Sequence, residues 1–302
     1  MKHSSLVIIG FVCLMILSYS TGCAREPVRA FDVDWRNNVE YLNRDNAAPL
    51  RMDIAMPRGS SKPAPAVVWI HGGAWAYGSK NFMRPLTKFT ASLGYVSATV
   101  QYRLVNKKTG VRFPDPVQDV AAAVRFLRKN AAEYGIDPDR IAIGGESAGG
   151  HLALMAGLCR DQAIIGTEPY PDVSSNVSGI INLYGPTDLR LLLTGAWWVK
   201  IVARDLVGCE IGEDPSKWDA ASPITHVRED GPPILTLHGT LDSVVPYSQA
   251  KSLVSACNEK HARHTLGRVP ISEHAWVAIP RGTVNTSTLP IIANFLGQIF
   301  GL

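Results

Sequence analysis

Short apolar runs bounded by polar residues and glycine recur along the chain, and stretches with helical periodicity alternate with them. The apolar runs predict strands at Val39–Asn43, Leu50–Met56, Ala66–Ile70, Tyr95–Gln101, Ile141–Gly145, Gly179–Tyr184, Ile234–His238 and His264–Ile271. The first two strands are expected to pair as a hairpin through Asp45 and Asn46. The third is apolar throughout, as expected of a strand buried on both faces of a sheet.

Helical patterns lie between these runs. From Pro116 to Tyr134 apolar residues recur every three or four positions, which predicts one helix that Gly135 ends. Strands that alternate with helices predict an α/β fold with a mostly parallel sheet covered on both faces. There are no internal repeats and no interdomain linker, so residues 24–302 are expected to form a single domain. The other predicted helices are Ala148–Leu158, Tyr247–Lys260 and Thr286–Phe300.

The N-terminal residues follow another pattern. A cationic start at Lys2 precedes an apolar run from Leu6 to Leu17, and small residues lead up to Cys23. This order is typical of a signal peptide, predicted over residues 1–22, and indicates export from a bacterial cytoplasm. The Thr-Gly-Cys ending resembles a bacterial lipoprotein box. Cys23 would then carry lipid and attach the protein to a membrane, and release to the periplasm or the exterior is the alternative.

Charge and cysteine content exclude some classes of function. The net charge of +4 is spread along 302 residues, without the clustered basic face of a nucleic-acid-binding protein. Of the five cysteines, Cys159, Cys209 and Cys257 follow the predicted signal peptide, so at most one disulfide is expected there. Cysteines and histidines do not show metal-site spacing, so no metal site is predicted.

One serine has the surroundings of a nucleophile. Gly145-Glu146-Ser147-Ala148-Gly149 lies between a predicted strand and a predicted helix. In this context a GxSxG sequence places the serine on a sharp turn, with its side chain exposed at the end of a sheet. Ser147 is the predicted nucleophile, and a tightly packed glycine turn is the structural alternative. Glu146 is expected to pair with a neighbouring cation or a backbone N–H.

A second glycine-rich loop follows another predicted central strand, at His71-Gly72-Gly73-Ala74-Trp75. Glycine lets a backbone N–H turn toward an oxygen that becomes negative during acyl transfer. We expect the oxyanion donors to be Gly73, Ala74 and the residue after the nucleophile, Ala148. The His71 ring is expected to hold the loop by a hydrogen bond. Trp75 is the predicted substrate-binding wall of an acyl pocket, with a plain core role as the alternative.

Two aspartates compete for the role of the acid. Asp188 and Asp242 both follow predicted strands after Ser147, in the order typical of this architecture. The acid usually stands on the second loop after the nucleophile strand, which favours Asp242. Asp188 is instead expected to cap a helix that begins near Leu189.

The general base should lie on a loop, where its two ring nitrogens reach the serine and the aspartate. His274 lies between the last predicted strand and the last predicted helix, and is the candidate. His261 is assigned to a helix, and His264 opens the last strand. His151, one turn after Ser147, is expected to be a packing residue.

Several segments together resemble the esterase and lipase branch of the α/β hydrolases that is similar to hormone-sensitive lipase. The resemblance is strongest to bacterial acetyl xylan and feruloyl esterases, and implies hydrolysis of short-chain, acetyl or feruloyl esters of carbohydrates without a cofactor. Ala74 and Glu146 depart from the glycine and aspartate of the lipase-like members, which weakens transfer of a lipid substrate. The segments are His71–Trp75, Tyr102–Leu104, Gly144–His151, Tyr184–Leu189 and His238–Asp242.

These observations predict an acyl-enzyme mechanism in which Ser147 attacks an ester, His274 takes its proton and Asp242 orients the imidazole. Arg160–Ser178 and Leu191–Trp218 are expected to form a partial lid. A peptidase or formamidase on the same fold is one alternative. A binding module without catalytic activity is another.

Overall fold

The computed structural model describes residues 30–43, 48–59, 63–193, 197–276 and 283–302. These ranges contain a sheet with strands β1 (Val33–Leu42), β2 (Leu50–Pro57), β3 (Ala64–Ile70), β4 (Val96–Val100), β5 (Ile136–Glu146), β6 (Gly179–Leu183), β7 (Ile234–Gly239) and β8 (His264–Val269). The helices are α1 (Arg84–Ser92), α2 (Asp115–Lys129), α3 (Ala131–Tyr134), α4 (Ala148–Leu158), α5 (Gln162–Ile165), α6 (Leu189–Leu192), α7 (Trp197–Val207), α8 (Pro215–Ala220), α9 (Ser248–Glu259) and α10 (Thr283–Phe300).

The eight strands form one sheet in the order β1-β2-β4-β3-β5-β6-β7-β8. The pairs β1–β2 and β2–β4 are antiparallel, and every later pair is parallel. The α/β class and the mostly parallel sheet predicted from the sequence are confirmed. Because parallel strands end at the same edge, the loops that follow β3, β5, β6, β7 and β8 gather there.

Alternate residues of the central strands face two separate cores. Val68 and Ile70 of β3 belong to the cluster that includes α2, α4 and α9. Val67 and Trp69 of the same strand belong to the cluster on the other face, which includes α1 and α10. Since successive side chains of a strand point to opposite faces, helices on both sides leave the whole of β3 buried.

One predicted helix is divided in two. The pattern from residue 116 to 134 continues across Asn130, but Asn130 leaves the helical conformation with φ −102° and ψ 23°. Its backbone N–H and its side-chain amide both donate to the Phe126 carbonyl, at 3.0 and 2.8 Å, which closes the last turn of α2. A short helix then follows and ends at Gly135, whose φ of 64° is the left-handed cap predicted for it.

The sequence-based assignment omits the nine-residue helix α1 and the eleven-residue helix α7, and its largest boundary error is in β1. Pro85, in the first turn of α1, is the signal that predicts its start. β1 begins at Val33, six residues before the predicted start. The prediction missed these residues because β1 is an edge strand with many exposed side chains. Such a strand has no continuous apolar run to reveal it.

The three body cysteines, Cys159, Cys209 and Cys257, are free thiols. Within the described ranges, none of the helices is long and apolar enough to cross a membrane. The predicted signal peptide, residues 1–22, and Cys23 lie outside the described residues. Export, lipid attachment and a single domain over 24–302 therefore stay predictions.

Candidate active site

Ser147 occupies a strained turn between β5 and α4. Its φ of 50° and ψ of −121° lie in a region that residues other than glycine rarely adopt. A Cβ on Gly145 would lie 2.4 Å from the Gly149 carbonyl oxygen, and a Cβ on Gly149 would lie 2.2 Å from the Ile70 oxygen. Both glycines are therefore required for the close approach of α4 to the sheet, as the GxSxG pattern predicts.

Three loops bring Ser147, His274 and Asp242 into one hydrogen-bonded row. The Nε2 atom of His274 lies 2.9 Å from Ser147 Oγ, within range to accept the hydroxyl proton. Its Nδ1 atom lies 2.7 Å from Asp242 Oδ2, so the N–H at this position donates to the carboxylate. The three residues follow β5, β8 and β7, which all end at the same edge of the sheet. This is the arrangement of nucleophile, base and acid predicted from the sequence.

The surroundings of Asp242 keep it ionised. Its Oδ1 atom accepts hydrogen bonds from the backbone N–H groups of Val244 and Val245, at 3.0 and 2.8 Å. Burial opposes the charge, but hydrogen bonds from His238, His274 and Val245 outweigh it and lower the pKa of Asp242 to about 2. The carboxylate is therefore available to orient His274 at any pH near neutrality.

The loop after β3 turns its backbone toward the nucleophile. Gly73 has a φ of 116°, and its carbonyl accepts from the N–H groups of Ala76 and Tyr77 at 3.1 and 2.9 Å. A Cβ at Gly73 would lie 2.2 Å from the Tyr77 oxygen, so glycine is required there. Gly73, Ala74 and Ala148, the predicted oxyanion donors, all border the cavity that contains Ser147.

His71 supports this loop rather than taking part in the row. Its Nδ1–H donates to the Gly72 carbonyl at 2.7 Å, and its ring stacks on Tyr102 with 4.4 Å between centroids. Burial lowers the pKa of His71 to about 4, so the ring is neutral at pH 7. The supporting role predicted for His71 agrees with these contacts.

The competing acid and bases lie elsewhere. Asp188 Oδ1 accepts from the Arg190 N–H at 3.0 Å and caps α6, as predicted. His264 opens β8 and its Nε2 is 3.0 Å from Thr236 Oγ1. His261 follows α9 rather than belonging to it, which corrects the helix assignment. Both histidines lie near the start of β8, at the opposite edge of the sheet from Ser147.

The partner of Glu146 differs from the prediction. Glu146 Oε2 accepts a 2.7 Å hydrogen bond from the phenol of Tyr184, instead of one from a cation or a backbone N–H. Tyr184 comes directly after β6 with a φ of 44°, and its ring packs edge-on against His274 with 4.9 Å between centroids. Sequence reasoning missed Tyr184 because it read as the last residue of an apolar strand. Its place at the carboxyl end of a central strand is the signal that could have found it.

A mainly apolar cavity of about 460 Å³ opens beside Ser147. Trp75, only 2% exposed, belongs to the buried part of its wall, with Tyr184 and Leu192. Tyr77, Phe82 and Trp198, which are 71%, 62% and 38% exposed, border its mouth. The cavity therefore has a buried wall that includes Trp75 and an exposed aromatic rim.

Half of the predicted lid covers this cavity. Within Leu191–Trp218, helix α7 supplies Trp198, Val199 and Val202 to the cavity wall. The prediction for Arg160–Ser178 is wrong, because this segment packs against α2. Arg125 and Arg128 of that helix donate to carbonyl oxygens of this segment, at Ile165 and Gly166 after α5 and at Ser174.

The parallel sheet, the strained serine turn after β5 and the Ser147–His274–Asp242 row define the architecture of an α/β hydrolase. Residues 52–257 match the BD-FAE family model, and the chain belongs to the BD-FAE family, in the esterase branch of this fold.

Known relatives agree with this assignment. The chain is 31% identical over 244 residues to the esterase LipC of Mycobacterium tuberculosis strain H37Rv, over 79% of this chain and 59% of LipC. It thus spans a little over half the length of the curated relatives it matches.

Solved esterase structures are similar over a larger share of their own length. The thermophilic esterase Est2 of the planctomycete Thermogutta terrifontis has a TM-score of 0.74 and 28% identity, over 90% of this chain and 93% of Est2. Other structures of that esterase contain propionate or are phosphonylated by sarin. A truncated carbohydrate esterase from gut microbiota has a TM-score of 0.78 and 26% identity, over 90% of this chain and 97% of that one.

Proposed function

We propose that this protein hydrolyses carboxylic esters through an acyl-enzyme formed on Ser147. The observation that carries the proposal is the continuous row from Ser147 Oγ to His274 and from His274 to Asp242, at 2.9 and 2.7 Å. Hydrogen-bond contact between a serine and an imidazole oriented by a carboxylate is the arrangement that activates a hydroxyl nucleophile. The esterase relatives support the same reaction class.

In the first half-reaction Ser147 Oγ attacks the ester carbonyl and His274 Nε2 takes the hydroxyl proton. The N–H groups of Gly73, Ala74 and Ala148 stabilise the oxygen that becomes negative, helped by the N-terminus of α4. His274 then gives its proton to the leaving alcohol. In the second half-reaction a water molecule attacks the acyl-enzyme, His274 accepts the water proton, and Ser147 is restored when the acid departs.

The substrate we propose is an ester of a short acyl group with a carbohydrate or an aryl alcohol. The buried part of the cavity wall, which includes Trp75, suits a small acyl group, including an acetyl group. The rim residues Tyr77, Phe82 and Trp198 offer exposed aromatic faces on which a sugar or phenolic ring can stack. Propionate bound to the Thermogutta esterase and the gut carbohydrate esterase support this pair of features.

We further propose that the enzyme acts after export, with residues 1–22 as its signal peptide. Lipid on Cys23 would then keep it at a membrane. Mass spectrometry of the protein from a bacterial membrane fraction checks this proposal. A chain that retains Met1 and fractionates with the cytoplasm would contradict it.

The decisive experiment compares p-nitrophenyl acetate with a matched amide, acetyl p-nitroanilide, in the unmodified protein and in Ser147→Ala. We expect rapid ester hydrolysis and labelling by a fluorophosphonate probe, with both reduced at least about 10³-fold in the variant. Ser178→Ala is the matched control, because this serine precedes β6 at the opposite edge of the sheet and its hydroxyl donates to the Asp139 carbonyl at 3.1 Å, far from Ser147. Activity that survives in Ser147→Ala contradicts the mechanism.

The same assay separates the alternatives. Faster turnover of the amide than of the ester would favour a peptidase or formamidase. Neither turnover nor probe labelling of the unmodified protein would favour a binding module.

A further inference from the structure

The indole of Trp75, in the buried part of the cavity wall, is held by a histidine outside the catalytic row. Trp75 Nε1–H donates to Nδ1 of His151 at 3.1 Å. The two rings meet nearly at right angles, 85°, with 5.2 Å between centroids. The hydrogen bond and the edge contact together define the plane of the indole.

The second ring nitrogen of His151 determines its tautomer. Nε2 lies 2.8 Å from the Ala221 carbonyl oxygen, which can only accept, so Nε2 carries the proton and Nδ1 is an acceptor. His151 is fully buried, and burial lowers its pKa to about 4. The ring is therefore neutral near pH 7 and presents a lone pair to the Trp75 indole.

His151 also has a defined position relative to the nucleophile. It stands in the first turn of α4, and its backbone N–H donates to the Ser147 carbonyl at 3.1 Å. The other end of the contact is equally restrained, because the Trp75 carbonyl accepts from the Val105 N–H at 2.9 Å. One helical turn and one side-chain hydrogen bond thus determine how far the indole lies from Ser147.

We propose that His151 is a positioning residue for substrate specificity, which holds Trp75 as the closed end of the acyl site and so limits acyl length. The proposal rests on the ester hydrolysis proposed above. Trp75 directly follows Gly73 and Ala74, the segment that would hold the carbonyl oxygen, so the acyl chain next to that oxygen runs toward the indole. The leaving alcohol then lies at the mouth, near Tyr77 and Phe82.

The test measures the ratio of kcat/KM for p-nitrophenyl hexanoate to kcat/KM for p-nitrophenyl acetate. In His151→Phe the ring volume remains but the acceptor is lost, so the indole is free to rotate and the site lengthens. Since each buried methylene contributes about fourfold to binding, we expect this ratio to rise roughly tenfold over that of the unmodified protein. His264→Phe is the matched control, another histidine neutral through burial but located at β8, and its ratio should not change.

Two more variants make the test specific. His151→Asn keeps a side-chain acceptor close to the Nδ1 position, and should restore most of the original ratio. Trp75→Phe removes the donor while His151 remains, and should raise the ratio to a similar extent. Combined with His151→Phe it should add little, because both changes remove the same hydrogen bond. If His151→Phe does not fold, the result for Trp75→Phe decides.

Three results overturn the proposal. One is an unchanged ratio in a folded His151→Phe protein that still reacts with a fluorophosphonate probe. Another is a His151→Phe protein in which kcat/KM changes among acetate esters of different alcohols but not among esters of different acyl length. That result would place Trp75 at the alcohol site. The third is independent effects of His151→Phe and Trp75→Phe that multiply in the double variant. Failure of the proposed function looks different, because the unmodified protein would then hydrolyse neither ester and would not react with the probe.

Discussion

At the scale of single residues, Asp242 receives more hydrogen bonds than one imidazole could supply. Besides His274 and two backbone N–H groups, the buried ring of His238 on β7 lies against it: the His238 Nε2–H donates to the Val245 carbonyl oxygen at 2.8 Å, and Nε2 is 3.4 Å from Asp242 Oδ2. Because His238 is fully buried, water could not take over its hydrogen bond if the imidazole were removed. The imidazole thus joins the acid to the backbone of the loop that carries it.

Replacing His238 by phenylalanine should lower kcat for p-nitrophenyl acetate about tenfold with little change in KM. The ring still fills its place, but the buried Val245 carbonyl loses its donor, so the loop holds Asp242, and through it His274, less firmly; leaving a buried acceptor unsatisfied costs about 1–3 kcal/mol. Steady-state kinetics check this, with His264→Phe as the control. A rise in KM at unchanged kcat would instead indicate a change in the substrate cavity.

At the scale of elements, the position of Ser147 depends on how closely α4 approaches β3. Gly149 has no room for a side chain, because a Cβ there would lie within 2.6 Å of the carbonyl oxygens of both Ile70 and His71. These are backbone atoms of a central strand, which cannot move aside without disturbing the sheet. The strained backbone conformation of Ser147 is therefore stabilised by the packing of α4 on β3.

The variant Gly149→Ala should lower the free energy of unfolding by at least about 2 kcal/mol, because overpacking against fixed backbone is costly. Urea denaturation of the variant and the unmodified protein measures the difference. Gly212→Ala is the matched control, since a Cβ at Gly212 would meet nothing within 4 Å and should change stability by less than about 0.5 kcal/mol. Equal stability of Gly149→Ala and Gly212→Ala would contradict the close-approach argument.

At the scale of the whole molecule, buried histidines make stability depend on pH. Burial lowers the pKa of His71, His151 and His264 to about 4, from 6.5. As the pH falls below 6.5 the unfolded chain takes up protons that the folded protein does not. Stability is therefore lost from about pH 6.5 down to about pH 4, and the lowered pKa of Asp242 adds a further loss only below about pH 4.

We expect the free energy of unfolding to be at least about 2 kcal/mol lower at pH 5 than at pH 7, from the combined proton uptake of these histidines on unfolding. Urea denaturation at the two pH values measures it. In His264→Phe the decrease should be smaller, since one of the three groups is gone. The same stability at both pH values would mean that the three rings are not neutral in the folded protein.

Much of this protein was predictable because its signals are local. The strand–turn–helix around Ser147 and the glycine-rich loop at Gly73 each identify themselves within a few residues, since the chemistry needs small neighbours and a defined turn. Loop position then selected Asp242, on the second loop after the nucleophile strand, and His274, between the last strand and the last helix. The sheet class followed from alternating periodicities.

Contacts between distant segments had no such signal. The Tyr184–Glu146 and Trp75–His151 hydrogen bonds join side chains on different elements. Hydrophobic periodicity shows which face of an element is buried, but not which side chain of another element it contacts. The packing of residues 160–178 on α2, away from the cavity, was also not predictable. The sequence of this segment has no periodic pattern that indicates which element it packs against. The break of a helix at Asn130 likewise depended on one side chain turning back to the Phe126 carbonyl.

The amino-acid sequence by itself determined the α/β class, the serine turn, the glycine loop and the identity of the residues in the hydrogen-bonded row, because each is written in residues that are neighbours along the chain or follow one another in a set order. Only the tertiary structure decided how those residues are held: the donors around Asp242, the histidine behind Trp75 and the helix that walls the cavity. The physical reason is that folding makes neighbours of residues far apart along the chain, and the free energy of a buried hydrogen bond depends on that neighbourhood.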